Sequence, residues 1–179
     1  MTGKPRQLLL DAGAVFAALR SDAWDPLVST YEVVVPSVVV RVEAIFYLTL
    51  EGQRIEIDLS AEVKKGRIRE VVMSAADIEA VRKRFTPDFR ERLDDGELEA
   101  LAYLLENPDE DMMFVSADGP AIQAVAMLDP DCRVISLAEV LDRCGYRKPL
   151  PDRFSRDFVK RHVNEGNVRR IQGRGLADR

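Results

Sequence analysis

The chain is poor in the residues that most often carry chemistry. Among its 179 residues are one histidine and two cysteines. His162 alone cannot build a paired-histidine ribonuclease site, an HExxH zinc site or a Cys/His zinc site. Cys132 and Cys144 have no metal-ligand spacing and suggest no disulfide framework, which suits a reducing compartment. No apolar run approaches the roughly 18 residues needed to span a bilayer. The opening, MTGKPRQ followed by LLL, lacks the character of a signal peptide. Repeats and low-complexity tracts are absent too. The expectation is a cytoplasmic protein with no membrane partner, whose chemistry runs on carboxylates.

What is present is core material and acid. Hydrophobic residues make up 46% and charged residues 32% of the chain, enough for one folded domain with an appendage. The net charge of −5 argues against a simple coat on nucleic acid. It allows a metal-dependent nuclease, because clustered carboxylates make the total negative. The charge is also segregated. Residues 147–179 hold ten Lys/Arg against four Asp/Glu, a surplus of +6. The chain therefore divides into a domain, residues 1–146, and a basic, partly helical C-terminal extension, residues 147–179. Gly166, Gly173 and Gly175 read as a frayed end. Arg153, Arg156, Lys160 and Arg161 are its candidate phosphate contacts, with plain solvated surface as the alternative.

Short apolar runs predict sheet strands over residues 7–10, 32–35, 68–73, 112–117 and 133–137. Helices are expected between them: from Ala12 to Arg20, from 74 to 85, from 95 to 106, after Asp118, and from 138 to 144. Pro36-Ser37 reads as the start of another, carrying Val38, Val42, Ile45, Phe46 and Leu50. Within residues 52–69, a strand over 54–59 and a short helix over 61–65 are the readings. The strands are continuous apolar runs, which means a parallel sheet buried on both faces, an α/β fold.

Ligands of open parallel sheets bind outside the carboxyl ends of the strands. Asp11 follows the first strand and Asp118 the fourth. Either can also serve only as a helix N-cap, and Asp94 with Glu97 resembles a capping box. Glu43 stands among Val39, Val40, Phe46 and Tyr47 at helical spacing, with no base at those positions. A carboxylate there is costly unless a cation compensates. If the acids converge, two charges ~4 Å apart repel by on the order of 4 kcal/mol at an effective dielectric of about 20. A divalent cation turns that penalty into affinity. Oxygen-only donors select Mg²⁺ or Mn²⁺, which can activate water and neutralise a phosphodiester.

Four segments together resemble the PIN domain, the fold of VapC-type toxin ribonucleases. They are LLLDAGAVFAAL with Asp11, VVVPSVVVRVEAIF with Glu43, LDDGELEALAYLLE with Glu97, and MFVSADGPAIQAVAML with Asp118. They come in the family's order and span residues 7 to about 140. The resemblance implies a helix-flanked parallel sheet in the order 3-2-1-4-5, with Asp11 and Asp118 meeting at the switch point. It implies cleavage of single-stranded RNA with Mg²⁺ or Mn²⁺, a homodimer, and an antitoxin protein as partner. Asp11, Glu43, Glu97 and Asp118 would then be the metal and catalytic set, and Ser116 would support it. Many members carry Asp at the third position, so Asp95 stands as a substitute for Glu97. Residues 52–69 and the basic tail have no counterpart. The alternative is a non-catalytic binding module of the same fold. A phosphatase or response-regulator-like domain ranks last, because the last strand ends in Ser-Leu-Ala with no Lys beside it.

Overall fold

The computed structural model describes residues 7–43, 46–49, 51–108, 111–129 and 131–177. A four-stranded parallel sheet forms its centre. Strands β1 (Gln7–Leu10), β2 (Glu32–Pro36), β5 (Ile68–Val71) and β6 (Met112–Val115) lie in the order β5-β2-β1-β6. Strands β3 (Phe46–Leu48) and β4 (Arg54–Glu56) form a separate antiparallel hairpin. In register, Leu8 sits beside Val33 and Met113, and Leu10 beside Val115.

Successive strand residues point to opposite faces, and here both faces are covered. Leu8, Leu10, Val33, Val35, Ile68 and Val115 pack into one core with α1 (Ala12–Arg20), α2 (Trp24–Thr30), α3 (Leu59–Lys64) and α8 (Leu137–Arg143). Leu9, Val34, Val71, Met112 and Phe114 pack into the other. That second core takes α4 (Ala75–Arg82), α5 (Pro87–Arg90), α6 (Asp95–Glu106) and α7 (Gly119–Leu128). The uninterrupted LLL and VVV runs follow from this double burial. No helix among the described residues is long and apolar enough to cross a membrane.

Three expectations need correction. The helix read from Pro36 to Leu50 does start at Ser37, but from Val39 to Glu43 it widens to a turn of i→i+5 geometry, and by Phe46 the chain is in β3. Four valines within Val38–Val42 resist helical packing at χ1, and the Glu99 carboxylate takes hydrogen bonds from the Ser37 hydroxyl (2.7 Å) and Val38 N–H (2.9 Å), pinning the turn. Ile45 and Leu50 lie outside the described residues. The fifth sheet strand over residues 133–137 is reduced to one parallel bridge, Val134 beside Phe114. Cys132, with φ 45°, bends the chain into it, and Ser136 already caps α8, accepting from the Glu139 N–H at 3.2 Å. The five-stranded order 3-2-1-4-5 is therefore not present as such. Finally, the chain does not fray at Gly166. Helix α9 (Arg156–Gln172) runs through it to a left-handed cap at Gly173, φ 65°. A Cβ at residue 166 would stand 2.6 Å from the Gln123 carbonyl oxygen, so glycine lets α9 lie directly on α7.

Candidate functional site

Two neighbouring strands, β1 and β6, end at the crevice. Asp11 directly follows β1, and its N–H donates to the Val115 carbonyl at the end of β6 (3.3 Å). Its Oδ1 accepts from the Ala14 N–H (2.6 Å), capping α1. Asp118 caps α7 the same way, Oδ1 accepting from the Ala121 N–H (2.9 Å). Both residues therefore do serve as N-caps, and a cap of this kind occupies one carboxylate oxygen. Between them Ser116 is buried, 1% exposed. Its oxygen accepts the Asp118 N–H (2.9 Å), while hydrogen bonding from Ser116 favours the charged form of Asp11.

The start of α6 supplies the opposite wall. Asp94 and Glu97 form a reciprocal capping box: Asp94 Oδ1 accepts from the Glu97 N–H (2.8 Å), and Glu97 Oε2 accepts from the Asp94 N–H (3.0 Å). Glu43, at the end of the wide turn, accepts a hydrogen bond from the Gly96 N–H at the positive end of that helix. Its two carboxylate oxygens stand 2.6 and 2.8 Å from where a Cβ on residue 96 would project. Gly96 therefore leaves the space Glu43 occupies.

Asp11, Glu43, Asp94, Glu97 and Asp118 line one cleft of about 220 Å³, with Arg153 beside them. Crowding acid into low-dielectric surroundings holds protons on. Burial, augmented by Asp118 and Asp94 and opposed by bonds from Ser116 and Ala14, raises Asp11 to about 6. Burial and the Asp94 charge raise Glu43 to about 7. Burial, then Asp118 and Asp94, push Glu97 up to about 9. Asp94 is raised as well, first by burial. A cation in the cleft would relieve all of these at once. Among the described residues, no three His, Cys, Asp or Glu side chains are gathered as a ready-made metal shell. The donor set suits a hard ion that keeps several waters and takes only one or two carboxylates directly.

The remaining sequence candidates separate. Asp95 turns away to Arg82 (2.8 Å) and does not line the cleft. Arg153 does, with its guanidinium 5.0 Å from the Phe154 ring centre. Arg156 pairs with Glu139 (3.0 Å). Lys160 and Arg161 lie along a groove on the outer face of α9. His162 lies against Gly119, and its Nδ1 is within 3.1 Å of the Gln123 amide and 3.0 Å of Glu165. Asp94 is the site residue that sequence reasoning missed as a member of the cleft. The acid-dense run Asp94-Asp95-Gly96-Glu97 was the signal that could have found it. No family model, curated protein or solved structure matches the chain.

Proposed function

We propose that this protein is a metal-dependent endoribonuclease of the PIN type, cutting single-stranded RNA with Mg²⁺ or Mn²⁺ at the acidic cleft. The convergence of Asp11, Glu43, Glu97 and Asp118 on one crevice at the carboxyl ends of β1 and β6 carries the reading. The sheet supports it too. With the hairpin set aside, its strands are the third, second, first and fourth along the chain, and Val134 bridges the fourth. Asp11 and Asp118 are the principal metal ligands, and Glu43 completes the shell directly or through water. Glu97 would hold a second ion or orient the attacking water once a bound cation had displaced its proton. The bound ion supplies charge neutralisation and a more acidic water. Ser116 holds Asp11 and Asp118 in mutual register.

An antitoxin partner and a homodimer belong to the same proposal, on the resemblance alone. The alternative, a non-catalytic binding module, has one observation in its favour: Asp11, Glu97 and Asp118 all do capping work that needs no metal. Incubation of a labelled single-stranded RNA pool with Mn²⁺, Mg²⁺ or EDTA separates the two, with Asp118→Asn alongside. Asn caps a helix as well as Asp does, so the variant should fold. Cleavage that requires metal and disappears in the variant is the expected result. No cleavage, together with no metal-induced rise in melting temperature, would leave the binding module.

A further inference from the structure

We propose that the outer face of α9 is the track along which single-stranded RNA lies as it leaves the acidic cleft, with Arg153 joining cleft and track. The polymer's identity rests on the nuclease reading above; the track itself rests on other observations. The first is its course. His162 meets Gly119, the residue after Asp118, and one turn later Gly166 meets Gln123 and Ala126. Helix α9 thus begins beside the cleft and runs along α7 away from it. From Lys160 to Gln172, the last residue of α9, the rise is roughly 18 Å, at about 1.5 Å per helical residue, and Arg174 lies just past the cap.

The second is a groove of about 650 Å³ on that face, lined by Lys160, Arg161, Asn164, Val168, Arg169 and Arg174, with Asp157, Glu165 and Gln172 also present. Arg161 reaches Asp152, the neighbour of Arg153, at 4.0 Å, which ties the near end of the groove to the turn that carries the cleft residue. Glu165 is already engaged by Gln123 (2.7 Å).

The third is uncompensated charge. On the domain, Arg41, Arg67 and Arg82 are paired with carboxylates, while Arg20, Lys64, Arg84 and Arg143 are not paired among the described residues, but there they stand among a surplus of acid. Among the described residues Arg153, Lys160 and Arg174 make no ion pair. Residues 1–146 hold 16 Lys/Arg against 27 Asp/Glu and repel a polyanion, so attraction has to come from this segment. Phosphates spaced along a strand suit a row of such cations. Val168, 50% exposed among them, offers an apolar surface to a base.

The test compares the full chain with Lys160→Gln/Arg161→Gln/Arg174→Gln. A charge-matched control, Lys64→Gln/Lys65→Gln/Arg143→Gln, touches neither groove nor cleft. Binding of a labelled oligouridylate is read by anisotropy against NaCl in EDTA, where no metal-dependent cutting intervenes. Melting curves check that all three proteins are folded. Every phosphate that the variant no longer neutralises should flatten the log–log salt dependence by about 0.7, so the track variant should show a slope shallower by about 2 and a low-salt affinity weaker by about tenfold or more. The control should match the wild type. That outcome supports the track even if the wild type cuts nothing, in which case only the nuclease reading falls. Equal slopes for variant and wild type, an equal weakening in the control, or no RNA binding by the wild type would each overturn the track. A wild type that still cuts RNA would then leave the nuclease reading standing.

Discussion

Ser116 joins two acids with one hydroxyl, and its removal should separate stability from site chemistry. In Ser116→Ala the Asp118 N–H loses its acceptor and Asp11 loses a bond that favours its charged form. A buried unsatisfied group costs about 1–3 kcal/mol, which denaturant unfolding will read. Groups that support metal ligands typically change metal affinity or activity by about 10–100-fold. A shift of that size in the Mn²⁺ concentration needed to raise the melting temperature is expected. Lower stability with unchanged Mn²⁺ dependence would reduce Ser116 to a packing role. At this scale the sequence was readable where position alone constrains chemistry, as for Asp11 and Asp118 after their strands. It was opaque where one pattern had two uses. Asp94-x-x-Glu97 reads as a capping box and is one, yet both side chains also line the cleft. Glu99 was missed because α6 reads as an amphipathic helix with Glu99 on its wet side. In fact it is 1% exposed and also accepts the Met73 N–H at 3.1 Å, tying β5 and the Glu43 turn to α6.

Among elements, β1 and β2 were legible because burial on both faces leaves apolar runs in them, Leu8–Leu10 and Val33–Val35, whereas the edge strand β5 carries the half-buried Arg69 and Glu70 between Ile68 and Val71. The run from Val38 to Leu50 misled because an apolar β-branched stretch satisfies helix and strand patterns alike, and a distant residue, Glu99, decides the turn. Helix α9 was under-read for the opposite reason. Its apolar stripe is thin, and its docking depends on an absent side chain at Gly166. That dependence makes a signed prediction. On a loosely tethered helix, Gly166→Ala would stabilise by about 1 kcal/mol through helix propensity. With α9 packed on α7, the added Cβ meets the Gln123 carbonyl oxygen at 2.6 Å and the Ala126 Cβ at 2.7 Å. Overpacking of this kind costs about 1–3 kcal/mol, so the net change in unfolding free energy should be destabilising. A stabilised variant would mean that α9 is not seated on α7, and the RNA track would lose its course with it.

Across the whole molecule, acid is concentrated at the cleft and base on the C-terminal segment, and the two respond differently to pH and metal. Asp11 is raised to about 6, Glu43 to about 7 and Glu97 to about 9. The unfolded chain releases these protons near pH ~4. Between that value and the folded values the native state binds more protons, so unfolding free energy falls as pH rises. The contribution of the neutral acids is complete below about pH 4 and is lost progressively above it, by about 6 for Asp11, about 7 for Glu43 and about 9 for Glu97. Metal-free protein should therefore melt at a lower temperature at about pH 8 than at about pH 5.5. Metal binding needs the same carboxylates deprotonated, and it stabilises the native state by mass action. The rise in melting temperature on adding Mn²⁺ should thus be small at about pH 5.5 and large at about pH 8, restoring what deprotonation removed. Asp118→Asn should keep much of the metal-free pH profile, because burial is the largest cause of all three shifts, and should lose most of the Mn²⁺ effect. A metal-free melting temperature that does not fall over this range would contradict the proton retention of the cleft. An Mn²⁺ effect equal at both values, and unchanged in the variant, would place the ion elsewhere on the protein.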